Sequence, residues 1–398
     1  MRSVGLLCIA MLFFGSSVYA ERTVWYIHPD SALNTIQAGL DSCADYDIVL
    51  VGPGIYYENI VWPNTQGIHL VSELGAASTT IDGSNVGDVI SINFNVDSNT
   101  VIRNFTVQNG DGGGVVVQAG LPTIAENVIR DNTRGIYIIY TAYGCIINNN
   151  SITNNATGII IWFSSATVSG NFIADNIDWG ILFSQVPDEN MPTQESPLDN
   201  RSIIISDNTI INNGRHGVST WDATMRSNTI ANNGWGGVVC GGTCAIDSCA
   251  IFGNNGDGVL ANYGDIHYCD IYDNIGYGVK AYGADTVFAE HNWWGDASGP
   301  YHSTANPGGS GDSVSDYVDF DPWLSWPVGV KEQPIVKPIE QQGSLSATIF
   351  RGPLQLPAGK QCRVFDITGR VVEPDKIAPG IYFLEIDDKI VQKVIKIR

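Results

Sequence analysis

NTIANNGWGGV, residues 228–238, is the clearest copy of the short pattern that decides the fold of this chain. The pattern is Asn or Cys, a β-branched residue two places on, a further Asn, and then Gly followed by Ile or Val. Its copies start at Asn127, Asn150, Asn171, Asn208, Asn228, Cys249 and Cys269. Most starts lie 20 to 23 residues apart, and one interval of 37 residues follows Asn171. A period of this length predicts a solenoid of stacked coils, and the long interval indicates an insertion.

The residue types in the repeat distinguish between two solenoids of this period. Leucine-rich repeats need Leu at places where this chain has Ile and Val. The stretches GIYIIY at 135–140 and GIIIW at 158–162 place β-branched residues at alternating positions, which is typical of short strands with one face inward. The sequence therefore predicts an all-β right-handed parallel β-helix.

The repeated Asn and Gly are expected at the corners of the coils, because both tolerate left-handed backbone and Asn can bond its own backbone. Strands of successive coils lie ~4.8 Å apart, so that equivalent Asn side chains can form a hydrogen-bonded ladder. This structural interpretation is preferred to a catalytic one. Cys249 and Cys269 replace the ladder Asn and are expected to stack as small buried groups, with a disulfide as the alternative.

Composition and charge narrow the possible partners. The 398 residues include 41 acidic and 20 basic residues, which give a formal net charge of −21. This charge disfavours nucleic acid and anionic membranes. It also favours a neutral glycan over a pectin-like or alginate-like polymer, unless Ca²⁺ or a local Lys/Arg cluster intervenes.

The domain organisation begins with a predicted secretory signal peptide at residues 1–20, with cleavage after Ala20. No later stretch is apolar enough to span a membrane. The β-helix is predicted at 21–326, with a cap and first coils at 23–83 that include a helix near 33–43, and a last coil at 292–326. A linker at 327–340 and a domain at 341–398 follow. Seven cysteines remain after cleavage, so that at least one is unpaired and the pairing stays open.

Two resemblances add to this organisation. VGPGIYYENI at 51–60 and the block from Asn292 to Leu324 resemble the first and last coils of the pectin-lyase-like β-helix superfamily, with repeats shared by carbohydrate-binding proteins and sugar hydrolases. CRVFDITGRVV at 362–372 and APGIYFLEI at 378–386 resemble the C-terminal sorting domain of the type IX secretion system. The second resemblance implies a small β-sandwich, delivery across an outer membrane, and the secretion machinery as a partner of residues 341–398.

Candidate substrate-binding residues follow the corner Gly on the outward face. They form an aromatic stripe that could stack on sugar rings, namely Tyr137, Trp162, Trp221 and Tyr282. The alternative is that the insertion between Ser184 and Asn200 covers the stripe. Asp222, next to Trp221, is a catalytic candidate because it is a carboxylate beside aromatic and basic residues.

Two further groups contain the other catalytic candidates, His267 and His216. The first is an outward column of alternating charge, interpreted mainly as a structural ladder, of Arg226, Asp247, His267 and Glu290. The second lies just before the corner Gly and contains Trp179, Arg215, His216, Trp235, Asp257 and Tyr277.

No cofactor is predicted. The chain does not gather the acidic ligands on neighbouring coils that a Ca²⁺-dependent pectate lyase needs, and Ca²⁺ is therefore unsupported by a ligand cluster. The paired Asp motifs of polygalacturonases are not found. Copper binding would need Met, His or Cys gathered at one end.

The function expected from the sequence is that of a secreted or cell-surface β-helix protein that binds an extracellular polysaccharide, with processing of that polysaccharide as an open alternative. Turnover by a lyase or a hydrolase is left open. The rival is a non-enzymatic adhesin or envelope structural protein. An exposed aromatic groove beside a carboxylate favours the first interpretation, and a covered stripe favours the second.

Overall fold

A computed structural model of the chain describes residues 22–140, 144–184, 203–329, 348–350, 362–366, 372–374, 377, 380–386 and 389–396. The predicted signal peptide, the insertion after Ser184 and residues 330–340 of the predicted linker lie outside this described part. Within it, no helix is both long and apolar enough to cross a membrane.

The described chain up to Gly329 is a right-handed parallel β-helix, as predicted. A full coil contributes three short strands, and strands of successive coils pair in parallel and in register. The third strands form a sheet of β3 (Gly54–Tyr57), β6 (Thr79–Asp82), β9 (Thr106–Gln108), β12 (Val128–Arg130), β15 (Ser151–Thr153), β18 (Phe172–Ala174), β21 (Thr209–Ile211), β24 (Thr229–Ala231), β26 (Ala250–Phe252) and β28 (Asp270–Tyr272).

The first and second strands of the coils belong to one larger sheet, because β25 (Val238–Asp247) and β27 (Val259–His267) run through the bend between the two positions. Its first strands are β4 (Ile60–Val61), β7 (Ile90–Ile92), β10 (Gly113–Val117), β13 (Arg134–Ile139), β16 (Thr157–Trp162), β19 (Ile181–Ser184), β22 (Val218–Thr220), β25 (Val238–Asp247), β27 (Val259–His267) and β29 (Val279–Ala281). Its other strands are β1 (Val24–Ile27), β2 (Ile48–Val51), β5 (His69–Ser72), β8 (Val101–Arg103), β11 (Thr123–Ala125), β14 (Cys145–Asn148), β17 (Ala166–Ser169), β20 (Ile203–Ser206), β23 (Ala223–Arg226), β30 (Val287–Phe288) and β31 (Val318–Asp319).

The interior is filled by the periodic aliphatic residues. On the third strands, one Ile per coil points inward and pairs with the Ile of the next coil, as Ile152, Ile173 and Ile210 do. These side chains are fully buried. Burying an Ile contributes about 1.5–3 kcal/mol, and a coil gains this only when its neighbours are present.

The structure confirms the predicted Asn ladder and contains a second ladder of the same kind. In the first, Asn150 accepts hydrogen bonds from the backbone N–H (3.0 Å) and the side-chain amide (3.1 Å) of Asn127. The first ladder continues through Asn171, Asn208, Asn228, Cys249, Cys269 and Asn292. The second runs through Asn132, Asn155, Asn176, Asn213, Asn233, Asn254, Asn274 and Asp312. These bonds satisfy polar groups that the stacked coils bury.

The corners differ from the expectation in one respect. A left-handed residue lies immediately before every ladder residue except Asp312, for example Asn149 (φ 53°) before Asn150 and Asn154 (φ 56°) before Asn155. The corner glycines do not have left-handed backbone. They are needed because coils approach closely there: a Cβ on Gly158 would lie 2.5 Å from the carbonyl oxygen of Gly180.

The N-terminal end is covered by the helix α1 (Ile36–Asp41), which is shorter than the predicted 33–43. Thr35 caps its start, and the carboxylate of Glu58 accepts the backbone N–H groups of Ile36 (2.8 Å) and Gln37 (2.9 Å). Ile36 and Leu40 are fully buried in the core. The helix thus closes the apolar end of the coil stack.

Cys249 and Cys269 are buried, form no disulfide and stack in the first ladder, which is the preferred expectation for this pair. Cys240 and Cys244 form a disulfide within β25.

The strands described after residue 340 form one four-stranded sheet, in the order β32 (Thr348–Phe350), β35 (Lys389–Lys396), β34 (Gly380–Ile386) and β33 (Cys362–Asp366). β34 pairs antiparallel with both neighbours, and β32 pairs parallel with β35. The type IX assignment of this region stays a prediction.

Candidate functional site

A row of aromatic and charged residues follows the second ladder at one corner of the β-helix. We call it the corner ridge, and it comprises residues 177–179, 214–216, 234–236, 255–257 and 275–277, together with Lys280. The five segments lie on successive coils, because the ladder Asn that precedes each one bonds to the next. Backbone bonds continue this order, from Arg215 N to Asp178 O (2.9 Å) and from Trp235 N to Arg215 O (3.1 Å).

Arg215 is the centre of the ridge. The central carbon of its guanidinium lies 4.4 Å from the ring centre of Trp179 and 4.8 Å from that of Trp235. Its Nε donates to Asp178 Oδ1 at 2.9 Å. Arg215 belongs to the coil between the two Trp coils, so that one cation contacts both indoles. These contacts hold Arg215 and the two indoles in place, and Asp178 balances the charge of Arg215.

His216 supports the exposed indole of Trp235. The two rings meet edge to face with centres 5.5 Å apart. The imidazole fits because residue 236 is Gly: a Cβ there would lie 3.0 Å from His216 Nδ1. Burial lowers the pKa of His216, Asp257 opposes this shift, and Arg215 adds to it. A neutral imidazole is therefore favoured, and its buried Nδ1 has no hydrogen-bond partner among the described residues.

The other end of the ridge carries a second charged pair beside an aromatic ring. Asp257 Oδ1 accepts the backbone N–H of Tyr277 at 2.8 Å, and Asp257 Oδ2 lies 3.8 Å from Lys280 Nζ. Lys280 Nζ also lies 5.5 Å from the ring centre of Tyr277. The ridge therefore presents aromatic surface at both ends, with acidic and basic groups paired along it.

Tyr137 and Trp162 of the predicted stripe are not at equivalent positions in the strand register. Tyr137 pairs with Ile160, whereas Trp162 pairs with Ile139 and Ser184. Tyr137 is half-buried, and the guanidinium of Arg134 lies 5.0 Å from its ring centre. Trp162 is also half-buried and stacks on Phe163.

The two other stripe residues are more exposed. Trp221 is 47% exposed, and its ring lies against the backbone of the neighbouring coil, 2.7 Å from where a Cβ on Gly241 would stand. Tyr282 is 77% exposed. The stripe as a binding surface stays a prediction.

Asp222 holds the backbone of the neighbouring coil. Its Oδ1 accepts the N–H of Thr243 at 2.6 Å, and Trp221 O accepts the N–H of Gly242 at 2.6 Å. Thr243 lies between the two disulfide cysteines. The Asp222 carboxylate therefore stabilises the backbone at the bulge of β25. A catalytic role of Asp222 stays a prediction.

The predicted charge column exists as a set of cross-strand pairs. Arg226, Asp247 and His267 are in register on successive strands. Arg226 Nη2 lies 3.7 Å from Asp247 Oδ2, and His267 Nδ1 lies 3.7 Å from Glu290 Oε2 and 2.9 Å from Glu290 O. A neutral His267 would carry its proton on Nδ1 to bond that carbonyl. The pairs fit the structural ladder better than a catalytic set.

The sequence pointed to six ridge residues but not to Asp178, Arg134 or Lys280. These residues could have been found by aligning the coils on their ladder Asn, because the alignment places cations and aromatic rings on neighbouring coils. Among the described residues, no three His, Cys, Asp or Glu side chains are grouped so as to hold a metal ion.

Comparisons with known proteins give two family matches, each to a different part of the chain. The family model described as periplasmic copper-binding protein (NosD) matches residues 47–191, and the model described as right handed beta helix region matches residues 198–299. No curated protein matches the chain by sequence. Among solved structures, the pectate lyase Pel9A is similar at 14% identity with a TM-score of 0.44, over 77% of this chain and 80% of that chain. The two family matches and the strand topology place this chain among the right-handed β-helix proteins.

Proposed function

We propose that this protein is an exported β-helix protein that binds an extracellular polysaccharide through the corner ridge. The observation that carries the proposal is the packing of Arg215 against both Trp179 and Trp235, with Trp235 still 52% exposed. Indole rings offer apolar surface for the C–H groups of a sugar, and ion-paired side chains offer hydrogen bonds to its hydroxyls.

The charge of the ridge favours a neutral glycan. Arg215 and Lys280 are balanced by Asp178 and Asp257, whereas the whole chain carries a formal charge of −21. A polyanion would be repelled by most of the molecule and would meet no excess positive charge on the ridge.

Binding without turnover is the form of the proposal that the ridge supports. Both of its carboxylates are paired with cations, and the Nδ1 of His216 is buried. General acid–base cleavage needs a titratable group within hydrogen-bond reach of the scissile bond. A hydrolase or lyase activity would therefore have to use residues other than these.

Copper binding, which the printed name of one matching family suggests, does not fit the described residues. They contain no group of three His, Cys, Asp or Glu suited to a metal. Met225, the methionine among them, is fully buried in the core.

We also propose the route by which the protein reaches its glycan. A signal peptide cleaved near Ala20 would direct export, and residues 341–398 would engage the type IX secretion machinery. The support is the sequence of the two termini. Truncation before residue 341 should then leave the protein inside the outer membrane, as cell fractionation would detect.

The binding proposal is tested by retention of the mature protein on a panel of insoluble polysaccharides, with new reducing or unsaturated ends measured in parallel. Trp235→Ala should abolish retention. Trp326→Ala is the matched control, because Trp326 is 69% exposed and lies outside the ridge. Retention of the control should equal that of the wild type.

Trp221→Ala distinguishes the ridge from the predicted aromatic stripe. Loss of retention in this variant alone would move the binding surface to the stripe. Failure of the wild type to bind any polysaccharide would reject the proposal and favour the rival role of an adhesin or envelope structural protein.

A further inference from the structure

The aromatic side chains of the corner ridge lie on alternate coils. Trp179, Trp235 and Tyr277 follow the ladder residues Asn176, Asn233 and Asn274, and one coil separates each from the next. The intervening coils carry Arg215 with His216, and Asp257. The order along the solenoid axis is therefore aromatic, basic, aromatic, acidic, aromatic.

The distance between these aromatic positions follows from the stacking of the strands. Parallel strands lie ~4.8 Å apart, so that two coils span roughly 10 Å. This agrees with the two indoles, whose centres lie 4.4 Å and 4.8 Å from one guanidinium carbon. This two-coil spacing of roughly 10 Å is close to the length of one disaccharide in an extended β-1,4-linked pyranose chain, in which every second sugar has the same orientation.

Glycines directly precede two of the aromatic residues, Trp235 and Tyr277. A Cβ on Gly234 would lie 2.8 Å from the carbonyl carbon of Gly214, and a Cβ on Gly276 would lie 2.9 Å from that of Gly256. Close packing of the coils therefore excludes larger residues at these places. The charged groups on the intervening coils are fixed by the pairs Arg215–Asp178 and Lys280–Asp257.

From this geometry we infer that the ligand is a neutral β-1,4-linked glycan lying along the solenoid axis. Each sugar occupies one coil, and every second sugar contacts an aromatic ring. Five coils accommodate about five sugars. The sugars between the aromatic contacts bond to the fixed charged pairs. An α-1,4-linked chain coils and does not keep this repeat. The inference rests on the proposed function and specifies its substrate class.

The test uses isothermal titration of the mature protein with soluble oligosaccharides. Cello-, manno-, xylo- and chito-oligosaccharides of two to six sugars are compared with malto-oligosaccharides, which are α-1,4-linked. The affinity for at least one β-1,4 series should rise by about tenfold from three to five sugars, which equals 1.4 kcal/mol for the third aromatic contact. It should then level off at six sugars.

Tyr277→Ala should lower the affinity for the five-sugar ligand to that of the wild type for three sugars, because the third aromatic contact is lost. Tyr277→Phe should behave as the wild type, and Trp326→Ala is again the control. Equal losses for short and long ligands would overturn the inference, as would a preference for the malto series. These results would leave Trp235-dependent retention intact, whereas loss of all retention would reject the proposed function itself.

Discussion

At the residue scale, the stability of the fold depends on buried amides that satisfy one another across coils. Asn155 accepts bonds from the backbone and side chain of Asn132 and donates to Ile129 O, Thr153 O and Asn176 Oδ1. Removing one buried partner leaves the others without a bond, and this costs more than the bond itself contributes. The Asn residues are thus structural even though they are polar and regularly spaced.

Asn155→Ala is expected to lower the free energy of unfolding by about 1–3 kcal/mol, because buried groups of Asn132 and Asn176 lose their partner. Urea denaturation would measure the change. The neighbouring Asn154→Gly is the control, since Asn154 is exposed and has φ 56°. A variant at Asn155 as stable as this control would contradict the ladder argument.

Asp312 ends the second ladder at a place where the preceding coils have Asn. Its Oδ2 accepts the N–H (3.1 Å) and the side-chain amide (2.9 Å) of Asn274. Burial raises the pKa of Asp312, against the opposing effect of these hydrogen bonds. The folded state therefore holds this proton more tightly than the unfolded chain, and stability falls as pH rises from 3.8 through the folded pKa.

Asp312→Asn should consequently raise the Tm at pH 7, because the amide accepts the same bonds without a buried charge. The gain should shrink as the pH is lowered toward 3.8, where Asp312 is itself protonated in the folded state. Thermal melts of both proteins across this range provide the measurement. A lower Tm for the variant at pH 7 would show that the carboxylate is needed at this position.

At the element scale, the spacing of the coils is set in one segment of each coil. This segment runs from an Asn of the second ladder to the first strand of the following coil. The corner glycines allow the backbones of neighbouring coils to approach, as the contact of a Cβ on Gly158 with Gly180 O (2.5 Å) and Asn176 Nδ2 (3.0 Å) shows. The corner ridge is built on this segment. The same close approach that fixes the fold therefore also fixes the positions of its aromatic residues.

Gly158→Ala should destabilise the protein by about 1–3 kcal/mol, because the added methyl group has no space and the coil must shift. Gly308→Ala is the matched control, since no atom lies within 4 Å of the position of its Cβ. Thermal melts of the two variants would measure this, and the Tm of Gly158→Ala should be the lower one. Equal values would mean that the corner glycines are not required for close packing.

At the scale of the whole molecule, hydrogen bonds and apolar stacking join the successive coils. The two ladders run along the core, the helix α1 covers the first coils, and the described residues contain no metal-ligand group. The chain as a whole carries a formal net charge of −21, while the charges of the corner ridge are paired. We therefore propose that neither folding nor glycan binding needs a cofactor.

Incubation with EDTA should leave both the Tm and polysaccharide retention unchanged, because no cation is part of the proposed site or of the ladders. Thermal melts and pull-down assays before and after chelation would measure this. A fall in either quantity that Ca²⁺ restores would refute the proposal and indicate a cation site.

The sequence by itself predicted the coils, the inward Ile and Val, the Asn ladder, the stacked Cys249 and Cys269 and the helix at the N-terminal end. These features depend on which residue stands at each place of a repeat of about twenty residues, and that repeat can be read from the chain.

Only the tertiary structure decided which outward side chains meet. Tyr137 and Trp162 look equivalent in the sequence but pair with different neighbours, and Arg215 contacts both Trp179 and Trp235 across the long interval. The reason is that register between coils is set by hydrogen bonding between strands, which an insertion in one coil leaves unchanged. The left-handed corners were displaced by one residue for a related reason, because the buried ladder amide needs ordinary backbone while its exposed neighbour makes the turn.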